Sequence, residues 1–309
     1  MPSHDVVIIG GGPTGLAAAR RLAERGIEDV VVLEREAEAG GIPRHCGHLG
    51  FGWQSHRRLW SGPRFAAQLR RDTAGIDLHT GTTVLELGRG GALRIRNANG
   101  LGEIKGRAVL IATGTRETPR AARLIGGTRP QGVMTTGALQ QFVYLQHLKP
   151  FARPVIVGSE WVSFSALFTC RHLGIKPVAI IEENARTTAP RGSGLVARFF
   201  FGVPVLTGTR LTAIEGGAQV EAIGIEGRGR RERIACDGVI FTGRFRPESA
   251  LYAAGAIASR DHAPIIDGQF RCSDPAYFAA GNVLLPLKSS GACWRQGIAA
   301  ADAIAGSLR

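Results

Sequence analysis

Short β-branched runs alternate with Ala- and Leu-rich stretches whose apolar positions recur at helical spacing: Val6–Ile9, a helix near 14–26, then Val30–Leu33. That rhythm predicts a βαβ unit in a parallel, doubly wound sheet. From Gly81 to Ile111 the pattern shortens to Thr83–Leu87, Leu93–Arg96 and Arg107–Ile111, broken by Gly and Asn, which predicts an antiparallel meander. After Pro150 the first pattern returns, with a strand at Val155–Val157, an apolar helix to about Leu173 and a strand at Val178–Ile181. A second Gly-rich meander follows around 203–235. The rest of the chain is strand, turn and helix, ending in the Ala-rich stretch 296–305.

With 309 residues, 44% of them hydrophobic, the chain can fill one large or two medium cores. The start enters a strand without a basic region and apolar leader, and no apolar run approaches the ~20 residues of a membrane span, so a cytoplasmic protein outside the membrane is expected. Cys46, Cys170, Cys236, Cys272 and Cys293 are scattered, with no C-x-x-C pair to suggest zinc, an iron–sulfur cluster or a redox disulfide. The net charge of +13 raises nucleic acid, an acidic protein partner or a plain arginine bias. Only four of the 38 basic residues are lysine and the arginines are spread without a long run. No recognised nucleic-acid motif appears, so no nucleic-acid partner is expected.

Chemistry enters at Gly10-Gly-Gly12-Pro13-Thr14-Gly15, a G-x-G-x-x-G pattern that follows a strand, opens a helix and precedes Glu34 at the end of the next strand. Gly10 permits the tight turn, Gly12 lets backbone approach a pyrophosphate, and Gly15 lets the helix pack close to the sheet. The helix start supplies unpaired N–H groups and the positive end of a dipole, and Glu34 can accept from ribose hydroxyls. The fold class is therefore α/β, with two Rossmann-like dinucleotide-binding domains, the second inserted in the first, each with a β-meander. The boundaries read as 1–118 and 239–309 for the first domain and 119–238 for the second.

Gly40-Gly41 after Glu34, Leu110-Ile-Ala112-Thr113-Gly114, Tyr277-Phe-Ala-Ala-Gly281-Asn282-Val283 and Trp294-Arg-Gln296-Gly297-Ile298 together resemble the two-dinucleotide-binding-domain flavoproteins, the group of thioredoxin and glutathione reductases. The resemblance runs along almost the whole chain and implies FAD in the first domain. It implies cofactor contacts from the Gly10–Gly15 turn, from Glu34, Arg35, Gly41 and Arg44, from Val84, from Ala112–Gly114, and from Gly281, Asn282 and Gln296–Ile298. Asn282 stands where the group normally has an acid, keeping a hydrogen-bonding side chain without the charge.

A second dinucleotide site is expected at Val155-Ile-Val-Gly158-Ser-Glu160-Trp161-Val-Ser163, yet only the first of its three glycines is present. A carboxylate at Glu160 repels a pyrophosphate, Trp161 adds bulk, and Ser163 stands where helix and strand should pack closely. NAD(P) is therefore not expected there, although a nucleotide bound by another route stays open.

Cys46 has no partner cysteine nearby, so the disulfide relay of the group is absent. Its loop, Gly40-Gly-Ile-Pro-Arg-His45-Cys46-Gly-His48-Leu-Gly-Phe-Gly52, resembles a narrower branch, the FAD-containing subunits of multi-subunit opine oxidases and of proline and hydroxyproline dehydrogenases. His45, Cys46 and His48 are the candidate catalytic residues if the loop lies by the flavin. Alternatively they hold a structural loop. They do not suit a metal, since no carboxylate completes the set. The branch implies two kinds of partner: a catalytic flavoprotein subunit, and a separate small iron–sulfur subunit where a cluster is needed. Three functions follow: an FAD-dependent oxidoreductase subunit for the oxidation of proline-like or opine-like amino acids, a self-sufficient NAD(P)H-dependent reductase, and an FAD-holding assembly subunit without catalysis.

Overall fold

A computed structural model of the chain describes residues 1–227, 229–252, 255–284 and 288–309. The chain forms two compact units. Unit 1 comprises Met1–Arg44, Leu49–Arg116 and Arg246–Arg309, and unit 2 comprises His45–His48 and Glu117–Phe245.

In unit 1 the parallel strands run in the order Asp77–His79, Val30–Leu33, Ser3–Ile9, Gly100–Ile111, with Tyr277–Ala279 paired parallel to the last. Val6 and Ile8 face one side, where they meet Ala18, Leu22, Ala301 and Ile304 of the helices Pro13–Glu24 and Ser290–Leu308. Val7 and Ile9 face the other side and join Val31, Val109, Tyr252 and Tyr277. A strand covered on both faces reads as a continuous apolar run, which is why Val6–Ile9 shows no alternation. Each such fully buried side chain contributes about 1.5–3 kcal/mol relative to exposure. The first helix starts with Pro13, whose missing N–H costs nothing in a first turn. It stops at Gly26, which takes the left-handed conformation (φ +81°) and donates its N–H to Ala23 O.

The strand predicted at Arg107–Ile111 is longer, spanning Gly100–Ile111. Its first half pairs antiparallel with Ala92–Asn97, completing the meander with Thr83–Leu87, and its second half pairs parallel with the first strand.

Unit 2 holds a five-stranded parallel sheet in the order Val133–Thr135, Gly238–Phe241, Pro154–Val157, Ile180–Glu182, Val205–Thr207. A second sheet carries the meander Thr209–Glu215, Ala222–Gly227 and Arg230–Ala235. Three expectations are corrected here. Val205–Thr207 belongs to the parallel sheet and not to the meander. The return to unit 1 falls at Arg246 and not at 239, because Gly238–Phe241 lies between two parallel strands of unit 2. A short, wholly apolar run such as Val239-Ile240-Phe241 carries no periodicity that names its sheet. The earlier crossing likewise falls at Glu117, two residues before the expected 119.

Candidate functional site

The Gly10–Gly15 turn joins the end of the first strand to the helix Pro13–Glu24. Gly10 sits at φ +108°, and a Cβ there would lie 2.7 Å from the Ala112 carbonyl oxygen. A Cβ on Gly15 would collide with the carbonyl oxygen of Gly10, so these two glycines let turn, helix and sheet close upon one another. Gly12 differs: a Cβ on it would meet nothing nearer than Gly41 Cα at 3.8 Å. Its face is open. Gly12 also caps the helix without any side-chain hydrogen bond, leaving the first-turn N–H groups for an acceptor brought from outside.

Glu34, buried at the end of the second strand, accepts from Gly11 N–H (2.8 Å) and Glu36 N–H (2.9 Å), one bond on each oxygen. Each oxygen keeps a lone pair for a further donor. The Gly40–Gly41 loop closes beside the turn, with Gly40 N–H donating to Gly11 O at 2.7 Å. Next to it the Arg44 side chain is largely buried, 3.8 Å from Glu38, and its Nε has no hydrogen-bond partner. An open glycine face, a helix start with no side chain bonded to its N–H groups, a ribose-type carboxylate and a spare buried guanidinium donor together fit the pyrophosphate and ribose of a dinucleotide.

The closing segment meets the same helix. A Cβ on Gly281 would strike Thr14 Oγ1, one on Gly297 would strike the Thr14 carbonyl, and Gly281 N–H donates to Gln296 Oε1 at 3.0 Å. Asn282 is occupied differently from expectation: its Oδ1 accepts from Lys288 N–H (2.7 Å) and its Nδ2 donates to Lys288 O (3.0 Å). The side chain ties the loop to the start of the last helix. Val84 is a buried member of the meander core, and Ile298 is half-buried on that helix. Ala112, Thr113 and Gly114 end the long strand, with Gly114 O accepting from Glu248 N–H at 3.0 Å. Arg35 is exposed and reaches Glu36 and Glu248 at 3.4 and 3.8 Å.

Unit 2 repeats this turn in register. Gly158 (φ +113°) donates its N–H to Ile181 O as Gly10 does to Leu33 O. Glu182 takes the place of Glu34, accepting from Ser159 Oγ and from Asn184 N–H at 2.8 Å. At the position of Gly12 stands Glu160, whose Oε2 accepts from Thr242 Oγ1 at 2.7 Å. A Cβ on Gly158 would lie 2.6 Å from that same oxygen, and one on Gly243 would collide with Oε1. The carboxylate therefore fills the turn. Ser163, fully buried where Gly15 stands in unit 1, donates from Oγ to Glu160 O at 2.7 Å. A cleft of about 130 Å³ remains beside it, lined by Glu160, Glu182, Asn184, Arg123, Arg210 and Arg244 among others.

The loop His45–His48 groups with unit 2. Cys46 Sγ donates to Gln140 Oε1 at 3.4 Å, and burial pushes its thiol up to about 12. A thiol so raised is held in its neutral form at physiological pH. His45 is buried, and His48 Nε2 lies 2.9 Å from Ser165 Oγ. Among the described residues no group of His, Cys, Asp and Glu could hold a metal, and no helix is long and apolar enough to cross a membrane. Sequence reasoning missed Thr242 and Gly243, although Ile240-Phe-Thr-Gly243 repeats the pattern of Ile111-Ala-Thr-Gly114. It also missed Glu117, half-buried on unit 2 with its carboxyl raised to about 7 by desolvation against an N–H from Gly137 at 2.7 Å.

The profile of the pyridine nucleotide-disulphide oxidoreductase family matches residues 4–303. An opine oxidase subunit from Rhizobium meliloti (strain 1021) is 28% identical over 60% of this chain and 40% of its own length. The alpha subunit of sarcosine oxidase from the same strain is 27% identical over 79% of this chain and 24% of its own length. The chain thus spans less than half the length of these relatives. The crystal structure of T. acidophilum thioredoxin reductase superposes with a TM-score of 0.82 at 21% identity, covering 99% of both chains, which shows the shared fold.

Proposed function

The chain belongs to the pyridine nucleotide-disulphide oxidoreductase family of α/β flavoproteins, and from that premise we propose that it is the FAD-holding subunit of a multi-subunit dehydrogenase or oxidase of secondary amino acids. The observation that carries this reading is the contrast between the two glycine turns: Gly12 leaves its face open, whereas Glu160 fills the equivalent space. FAD fits unit 1. There the first-turn N–H groups and the Arg44 guanidinium would hold its pyrophosphate, and Glu34 its ribose hydroxyls. When bound, the flavin supplies acceptance and release of electrons from a substrate or a partner. The chain's own residues orient it: Gly281 and Gly297 let two elements press on Thr14, and Gly41, lacking a side chain, lets its loop lie close against Gly12.

A nicotinamide donor is disfavoured in unit 2, because the Glu160 carboxylate occupies the place a pyrophosphate would need and repels its charge. Among the described residues all five cysteines are free and buried, so there is no disulfide to relay electrons. The substrate-oxidising partner is then another subunit. The relatives named opine oxidase and sarcosine oxidase act, by those names, on N-substituted amino acids, which sets the substrate class proposed for the complex. A small iron–sulfur subunit completes it where the acceptor takes single electrons.

The second reading is an NAD(P)H-dependent reductase, favoured by the cleft of about 130 Å³ and by Glu182 at its edge. Anaerobic titration separates the two. The purified chain is expected to carry FAD that sarcosine, proline or an opine bleaches only when the co-purified subunits are present. Rapid stoichiometric bleaching of the lone chain by NADH or NADPH at micromolar concentration would establish the second reading instead.

A further inference from the structure

Unit 2 carries a continuous apolar face on the helices Trp161–His172 and Ser193–Phe200. Trp161 is 68% exposed, Leu195 63% and Phe199 79%, with Phe168, Val196 and Phe200 also open to solvent. Ring contacts join the two helices into one surface. Trp161 meets Phe164 at 5.8 Å, and Phe164 meets Phe201 at 6.5 Å. Phe201 in turn meets Phe168 at 5.1 Å and Phe200 at 4.9 Å. On the second helix Leu195 and Phe199, and beside them Val196 and Phe200, stand one turn apart and form a single stripe. Scattered apolar residues on a surface need no explanation, but a joined patch of six large ones does.

The comparable helix of unit 1 shows that this face is not a requirement of the fold. In the shared register Trp161 corresponds to Pro13 and Phe168 to Arg20. Arg20 is a solvated charge paired with Glu24 at 2.9 Å. Unit 2 has put aromatic rings where unit 1 has a charge.

Arginine edges the patch. The Arg171 guanidinium lies over the Phe200 ring at 4.7 Å, Arg198 sits between Leu195 and Phe199 in sequence, and Arg191 precedes the second helix. All three are exposed, and among the described residues none forms an ion pair with a carboxylate of this chain. We infer that this face docks a partner protein whose own surface is apolar and edged with carboxylates. The inference rests on the subunit reading above and gives it a location. Trp, Phe and Arg without Lys, Asp or Glu is the composition that distinguishes the centre of a protein interface from ordinary surface. A second copy of this chain would set arginine against arginine, since a twofold interface presents the same patch from both sides. A bilayer is less well matched, because the rings come from two short helices and not from one amphipathic helix lying flat.

The test uses the full chain with an affinity tag, isolated from the cells that make it together with the subunits that co-purify at fixed stoichiometry. Hydrogen–deuterium exchange compares that complex with the chain after the subunits are removed. Protection confined to 161–171 and 195–201 is expected. The double variant Leu195→Glu/Phe199→Glu alters only exposed side chains, so it should keep the wild-type circular dichroism while recovering the partner at least about tenfold less well. Phe199→Leu should recover it normally. A complex that forms without protecting these segments, or that survives the double variant, overturns the surface assignment and leaves the subunit reading standing. Failure to find any stoichiometric partner overturns both. Two controls address the other occupants: sedimentation with phosphatidylglycerol vesicles and the mass of the lone chain in solution. Vesicle binding or dimerisation that the double variant abolishes would assign the face to a membrane or to self-association, against the inference.

Discussion

Two turns of one chain, built on the same strand–helix–strand scaffold, have been given opposite tasks. At Gly10–Gly15 the glycines create space in two senses: Gly10 and Gly15 let backbone close on backbone, and Gly12 keeps an outward face clear. At Gly158–Ser163 the first glycine keeps its hydrogen bond to the next strand and the strand-end carboxylate survives, but the clear face is filled by Glu160. The scaffold needs the tight turn. It does not need the clear face, which serves only a ligand. A βαβ unit can therefore have the clear face of its turn filled by one side chain and keep its fold.

The largest effect should come from Gly12→Val. A Cβ has room in the empty turn, so the melting temperature of the chain without cofactor should hold to within about 3 °C. A side chain there occupies the pyrophosphate position, and bound FAD should fall to below about a tenth of wild type, read from the flavin absorbance of purified protein. Full occupancy in this variant would break the comparison at its root.

Next in size, Gly15→Val forces a side chain into the Gly10 carbonyl and should cost about 3 kcal/mol in denaturant unfolding. The counterpart Ser163→Gly removes one hydrogen bond to Glu160 O and should cost about 1 kcal/mol. Equal losses would mean that the third position carries the same packing load in both units.

Glu117 sharpens the contrast through pH. Its carboxyl is raised from an ordinary 4.5 to about 7, chiefly by burial, and one of its oxygens is buried without a hydrogen-bond partner. The folded chain thus holds this proton longer than the unfolded chain. The stabilisation is complete below about pH 4.5 and is lost as pH rises through about 7, a change of about 3 kcal/mol. Glu117→Gln should flatten that part of the stability profile and be the more stable protein at pH 8. A wild-type profile that rises between pH 5 and 8 because of this residue would contradict its burial. The smallest effect concerns the thiols. Desolvation pushes Cys46, Cys170 and Cys272 to about 12, so a thiol reagent at pH 8 should label the native chain slowly and all five cysteines rapidly once it is unfolded.

Much of the scaffold was legible because its signals are local. Val6–Ile9, the glycine turn and Glu34 sit within one short stretch, and each glycine's task follows from steric necessity. The limits of the second unit were harder to read, since Val239-Ile240-Phe241 would suit the interior of either sheet and only pairing decides. The candidate site's shape was legible where backbone makes it, in the turns at Gly10–Gly15 and Gly40–Gly41, and poorly legible where a side chain chooses among partners. Asn282 could have faced a ligand, yet it holds the backbone N–H and carbonyl of Lys288. Glu160 was readable as a repulsive charge, but not as a plug, because Thr242 and Gly243 reach it from far along the chain.

The strand Gly100–Ile111 has a mechanical consequence. Its first half is stitched to the meander and its second half lies between the opening strand and Tyr277–Ala279, so one unbroken rod bears load from both. Slippage of the meander by one residue at Leu101, carried along the rod, would turn Val109, Leu110 and Ile111 inside out against their neighbours. Such a rod makes opening an all-or-none event, and the amides of Val109–Ile111 become the natural reporters of unfolding of the whole unit.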